Sequence, residues 1–283
     1  MTSYRTTITA TELTDRAHEP DLVILDARFT LDDEEWGARV YAEGHLPGAQ
    51  YANLATHLAG PIILGVTGRR PFPDPAVFAA TLSAWGIGPG TQVVAYDAEN
   101  GLMAAARTWF MLRWMGHDDV AVLDGGIQSW IAAGLPLTDV VPAPAPAVFT
   151  AHMRPQMLAD VDDVDVLRRD AGWCVFDSRS EEGYHGGGKY QDPVRGHIAG
   201  AGLADRALTI APGGGFRPAD ELREHFDALL ADVPADHVIF YCGSGVTAAQ
   251  NVLAMELAGL SGSRMYVGSW SEWITDPARE IEL

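Results

Sequence analysis

The chain has 283 residues, 47% of them hydrophobic, with 38 acidic against 19 basic side chains and a formal net charge of −19. That length predicts two domains, each large enough to bury its own core. The acidic balance argues against nucleic acid or an anionic membrane as the main partner, since both need a basic footprint, and two cysteines make neither a disulfide framework nor a zinc pattern.

In chain order, the residues from Met1 to Arg5 open no apolar signal core. No stretch reaches the roughly 18 unbroken apolar residues of a membrane span. A cytoplasmic protein with free thiols is expected. The first informative run is Leu22-Val23-Ile24-Leu25-Asp26-Ala27-Arg28, followed by Gly44-His45-Leu46-Pro47-Gly48-Ala49. Val93–Tyr96 is short, continuous and bounded by turn signals, which predicts a buried strand, and residues 104–115 carry a helical pattern. Val122-Leu123-Asp124-Gly125-Gly126 then leads to Trp130. The Pro/Ala alternation from Val141 to Ala147 predicts an extended, semi-rigid linker, taken as 140–149 between domains 1–139 and 150–283.

Beyond the linker the same order returns. Trp173-Cys174-Val175-Phe176-Asp177-Ser178-Arg179 is followed by Gly196-His197-Ile198-Ala199-Gly200-Ala201, a predicted helix over 219–230, a predicted buried strand over 238–241 and a predicted helix over 246–257. Tyr266-Val267-Gly268-Ser269 then leads to Trp273. Asp26 and Asp177 are offset by 151, His45 and His197 by 152, Asp97 and Cys242 by 145, Trp130 and Trp273 by 143. Matches in order with slowly drifting offsets indicate a duplicated domain. Strands alternating with helices predict an α/β fold, with two tandem domains, each a mainly parallel sheet flanked by helices.

The segment Tyr241-Cys242-Gly243-Ser244-Gly245-Val246-Thr247 carries the chemistry. A buried strand ends, a cysteine follows, two glycines permit a tight curl and a helix begins. Ligands in such folds bind beyond the carboxyl ends of the strands. Backbone N–H groups turned inward form an anion nest, and the helix N-terminus favours the thiolate, which is the nucleophilic form. The hydroxyls of Ser244 and Thr247 can donate to the same anion. The alternative is a cysteine that merely packs the end of a strand; the glycines, hydroxyls and helix start favour the nucleophile. Cys174, inside an apolar run with no such loop, reads as core packing. A cysteine phosphatase would need an arginine closing the loop, and nothing from Gly243 to Gln250 is basic.

Together the repeats, the two Asp-x-Arg and Gly-His-Ile/Leu-x-Gly-Ala motifs, the 242–247 loop and Gly268-Ser269-Trp270-Ser271-Glu272-Trp273 resemble the two-domain rhodanese family of sulfurtransferases, across essentially the whole chain. The resemblance implies two tandem rhodanese-like domains with the cysteine only in the second. The first is then catalytically silent, with Asp97 at the position of Cys242. It implies a sulfurtransferase in which Cys242 takes sulfur from mercaptopyruvate or thiosulfate as a persulfide and passes it to cyanide, a thiol or a thioredoxin-like protein, with no metal or organic cofactor. Thiosulfate-type members carry basic residues just after the cysteine, whereas Gly243-Ser244-Gly245 matches the mercaptopyruvate type. Ser244 is then expected to assist proton transfer or hold the donor, and Gly243, Gly245, Val246 and Thr247 to form the persulfide and substrate loop.

Two departures from the family pattern bear on the donor. Gly183 stands where a substrate-binding arginine is usual, and Arg70 where a first-domain histidine of a proton relay is expected. Lys189 and Arg195 are candidates for the missing positive charge, as are Arg69 and Arg70 acting across the domain interface. The missing arginine also keeps open an alternative, a non-catalytic sulfur-carrier or binding module loaded by a partner protein. Arg28 and Arg179 recur in both halves although only one half has the cysteine, so each is read as part of a structural ion pair. By the same reasoning His45 and His197 brace a turn. His185 has no second spaced ligand pair and reads as a surface histidine.

Overall fold

The computed structural model describes residues 3–188 and 192–283. Backbone contacts divide the chain into two units. The first comprises Met1–Gly60, Pro73–Arg154 and Gly213–Gly215, and the second Pro61–Phe72, Pro155–Pro212 and Phe216–Leu283.

In the first unit, β1 (Thr7–Ile8), β2 (Leu22–Asp26), β3 (Ala49–Tyr51), β4 (Gln92–Tyr96) and β5 (Val120–Leu123) form one parallel sheet in the order β1-β5-β4-β2-β3. The predicted strand at 93–96 is the central β4, buried at every residue, as a strand covered on both faces must be. One face closes over Leu13, Ile24, Val94, Tyr96, Leu123 and Trp130. The helix predicted over 104–115 is Ala104–Trp114, apolar and buried almost all round, which marks a core helix rather than a surface one.

The second unit repeats this plan. β6 (Leu158–Ala159), β7 (Cys174–Asp177), β9 (Gly202–Leu203), β10 (Val238–Tyr241) and β11 (Arg264–Tyr266) form a parallel sheet in the order β6-β11-β10-β7-β9. A short antiparallel ribbon of β8 (His197–Ile198) and β12 (Ile281–Glu282) lies beside it. Counted along each unit, the two sheet orders are the same, so the duplication read from the sequence is a duplication of topology. The helix predicted over 219–230 is present with those bounds. The one predicted over 246–257 begins two residues later, at Ala248, because residues 246 and 247 are drawn into the preceding loop. Residues 140–149 form neither helix nor strand; the Ala147 N–H donates to the Ser83 carbonyl at 2.9 Å and the Phe149 N–H to Ser83 Oγ at 3.1 Å. No helix among the described residues is long and apolar enough to cross a membrane.

Each unit also builds the same brace from its repeated motifs. Arg28 Nη2 donates to Asp26 Oδ2 at 2.6 Å and to the Gly44 carbonyl at 2.7 Å, and Arg179 Nη2 does the same to Asp177 Oδ2 and the Gly196 carbonyl, again at 2.6 and 2.7 Å. His45 stacks on Tyr41 with ring centroids 3.9 Å apart, and His197 on Tyr184 at 3.6 Å. The Tyr96 hydroxyl accepts the Leu46 N–H, and the Tyr241 hydroxyl accepts the Ile198 N–H. The arginine thus ties a strand end to the turn ahead of the histidine, which accounts for both residues in both halves.

Candidate active site

β10 lies between β7 and β11, so its last residue delivers Cys242 to the carboxyl edge in the middle of the sheet. Residues 242–247 then curl before the helix Ala248–Leu257 begins. Gly245 is indispensable to that curl: its φ is +74° and a Cβ there would run into the Val267 carbonyl, so no other residue fits without strain.

The curl points backbone N–H groups, among them those of Ser244, Val246 and Ala248, at the sulfur, and the Thr247 hydroxyl donates to it as well. Thr247 occupies the helix N-cap position without capping the helix through its side chain, because that hydroxyl serves the sulfur instead. Burial by itself pushes the Cys242 thiol up, but these donors outweigh it and hold the thiol below its ordinary value. Cys174 is the contrast. It is half-buried at the start of β7 and burial pushes its thiol up with nothing to oppose the shift.

Behind the loop, the short helix Ser269–Trp273 acts as a clamp. The Trp270 N–H donates to the Cys242 carbonyl and the Ser271 N–H to the Gly243 carbonyl, both at 3.0 Å. Ser269 Oγ accepts the Cys242 N–H at 3.2 Å, donates to the Tyr266 carbonyl at 2.9 Å and lies 4.0 Å from Cys242 Sγ. Ser269 has φ +56°, a left-handed backbone uncommon for a serine. The first unit places Gly126 (φ +58°) at the corresponding point. Sequence reasoning used this serine only as part of a motif. Its unusual backbone has no local signal, because the neighbouring residues are ordinary helix-start residues.

Positive charge converges on the loop despite the acidic composition. The segment 61–72 belongs to the second unit, so Arg69 approaches Cys242 from within that unit. Its Nη2 lies 3.6 Å from the point a Cβ on Gly243 would occupy, and Arg179 Cδ lies 4.0 Å from the same point. Burial lowers the proton affinity of the Arg69 guanidinium and the Cys242 charge partly restores it, with Arg70 and Arg179 close enough to be felt. Arg69 also forms an ion pair with Asp192, a partner that nothing in the sequence flagged. Arg70 is half-buried and Arg195 is exposed; Lys189 lies outside the described residues. Ser244 is buried and turns its N–H to the sulfur. Gly183 sits in the short helix Glu181–Tyr184, its N–H capped by Ser180 Oγ at 3.2 Å. His185 is exposed and packs edge-on against Tyr184. Among the described residues no group of three His, Cys, Asp or Glu side chains is arranged to hold a metal ion.

The corresponding loop of the first unit is filled by its own carboxyl group, which burial pushes up and the surrounding N–H groups pull down. Asp97 Oδ1 accepts the N–H groups of Glu99 and Gly101 at 2.8 and 2.7 Å, and Oδ2 those of Met103 and Ala105, both at 3.0 Å. An anion nest at the end of a central strand is therefore built twice, once around a thiol and once around a carboxylate.

The rhodanese-like domain pattern matches residues 9–133 and again 160–276. The chain belongs to the rhodanese-like family. A Pseudomonas aeruginosa protein named "Probable 3-mercaptopyruvate sulfurtransferase" is 44% identical over 275 residues, covering 97% of this chain and 96% of its own. A Bos taurus thiosulfate sulfurtransferase is 32% identical over 260 residues, covering 90% and 85%. Among solved structures, the 3-mercaptopyruvate sulfurtransferase from Leishmania major superposes with a TM-score of 0.83 at 28% identity, covering 95% of this chain and 74% of that one. In rhodanese-like terms, the first unit is a domain whose loop is filled by Asp97, and the second is a domain whose loop presents a thiol.

Proposed function

We propose that this rhodanese-like protein is a sulfurtransferase whose sulfur passes through Cys242. Sulfurtransferases named for each donor type align over 97% and 90% of it. The observation that carries the role of Cys242 is its buried sulfur at the end of β10, faced by the Thr247 hydroxyl and the N–H groups of Ser244, Val246 and Ala248. The same donors that hold a thiolate hold the persulfide anion that replaces it.

With mercaptopyruvate, the Cys242 thiolate attacks the donor sulfur and a sulfur–sulfur bond forms. The carbon–sulfur bond breaks and its electron pair goes to carbon as the enolate of pyruvate. The donor's thiol proton ends on that carbon, leaving a persulfide anion on Cys242 and pyruvate. With thiosulfate the leaving group is sulfite. Cyanide then attacks the outer sulfur, thiocyanate departs and the thiolate returns. Arg69, with Arg70 and Arg179 beside it, supplies positive charge for an anionic donor where Gly183 offers none. Ser244 supplies a backbone donor to the sulfur, and a thiol or thioredoxin-like protein takes the place of cyanide in a cell, the cytoplasm being the compartment proposed.

The test is thiocyanate release from cyanide with each donor, for the wild type and Cys242→Ser. Saturable turnover that the substitution reduces to background is expected. Turnover surviving in Cys242→Ser overturns the assignment of Cys242, and absence of turnover by the wild type with either donor moves the protein to the sulfur-carrier reading.

A further inference from the structure

Arg69 reaches the Cys242 loop with a carboxylate beside its other guanidinium nitrogen. Nη1 is ion-paired with the Asp192 carboxylate, while Nη2 is the atom nearest Gly243. The backbone under this arginine is fixed. Gly68 is wedged so closely against the Gly268 carbonyl that a Cβ would not fit, and the Arg69 N–H donates to Ser271 Oγ at 3.0 Å. The pair is also largely withdrawn from water, with Asp192 11% and Arg69 30% exposed as side chains, so a charge here acts more strongly than on an open surface. Both residues line one cavity of about 340 Å³, walled also by Ile62, Leu64, Pro193 and Ile274.

We infer that Asp192 is a built-in competitor for the donor's negative charge, and that it sets which donors this site accepts. The inference rests on reading Cys242 as the acceptor of sulfur from an anionic donor. A donor's carboxylate takes over the Arg69 nitrogen that Asp192 otherwise holds, a like-for-like exchange of one carboxylate for another. A dianion pays the repulsion of Asp192 on two charges rather than one. Asp192 therefore shifts the site toward small thiol-bearing carboxylates, such as a 3-mercapto-2-oxo acid, and away from thiosulfate.

The experiment is calorimetric binding of pyruvate and of sulfate, as monoanionic and dianionic probes, to the full chain at low ionic strength. The proteins compared are the wild type, Asp192→Asn, Arg69→Gln and the double variant. Asp192→Asn is expected to tighten pyruvate about threefold and sulfate about tenfold, since the gain scales with probe charge. Arg69→Gln should weaken both, and adding Asp192→Asn to it should change little, because the competitor acts through Arg69. Asp192→Ser carries the same expectation, so a folding defect specific to one side chain does not mask the result. Equal or weaker binding in both Asp192 variants overturns the inference and leaves Asp192 as a brace for Arg69. Binding needs no turnover, so the outcome is independent of the Cys242 assignment: probe binding that answers to Asp192 in a protein that forms no persulfide would sink the sulfur-transfer reading alone.

Discussion

Asp97 and Cys242 hold the same place in two copies of one loop. The N–H groups two, four and six residues beyond Asp97 (Glu99, Gly101, Met103) donate to its carboxylate, and those two, four and six residues beyond Cys242 (Ser244, Val246, Ala248) donate to its sulfur. In the first unit the carboxylate spans the nest and reaches the Ala105 N–H as well. The nest is satisfied from within, which leaves no site for an incoming sulfur there.

That satisfaction is structural, so its loss should show as lost stability. Asp97→Asn keeps the shape but replaces one acceptor oxygen with a donor, leaving two of the four N–H groups facing an NH₂. Buried donors left unpaired, together with the loss of charge-assisted bonds, predict a cost of about 2–4 kcal/mol. Calorimetric unfolding would measure it. A melting profile identical to wild type would mean that the carboxylate contributes nothing to the loop.

The thiol should behave differently from its neighbour in sequence. The Cys242 titration midpoint, read from the pH dependence of alkylation, is expected below that of a free cysteine, and that of Cys174 above it. Thr247→Val removes one donor to the thiolate and leaves the upward push of burial less opposed, so the Cys242 midpoint should rise. Because the folded-state value is lowered, the stabilisation from ionising Cys242 is full above the unfolded thiol's range. It is lost as pH falls through the lowered value. An unshifted profile in Thr247→Val would remove the hydroxyl from the account.

The two Asp-x-Arg braces should fail in the same way. Arg28→Ala and Arg179→Ala each strand a carboxylate, Asp26 or Asp177, that is wholly shielded from water. Breaking such a pair from one side predicts a loss of about 3–5 kcal/mol. Lysine should not rescue either site, since it cannot make the forked contact to carboxylate and carbonyl together. Denaturant titration of the four variants would decide. A large loss for Arg179→Ala with none for Arg28→Ala would mean the repeated arginine has no common structural role.

Much of this molecule is legible in its sequence because the determining interactions are local or repeated. The buried strands at 93–96 and 238–241 announce themselves as short apolar runs, and the agreement of the two sheets, though not their strand order, follows from a duplication visible in four spaced matches. The 242–247 curl is written in consecutive residues: a cysteine, two glycines and two hydroxyls that have only each other and the next helix to arrange. What the tertiary structure alone decided lies between residues remote in the chain. Arg69 is anchored by Ser271, 202 positions away, so the segment 61–72 packs with the second unit although it lies well before the linker. The Asp192 ion pair and the left-handed Ser269 behind Cys242 are products of the same distant packing. Apolar periodicity and turn chemistry set the elements one by one. The charge balance around the sulfur depends on which side chains the finished core brings within a few ångströms, and no local pattern encodes that.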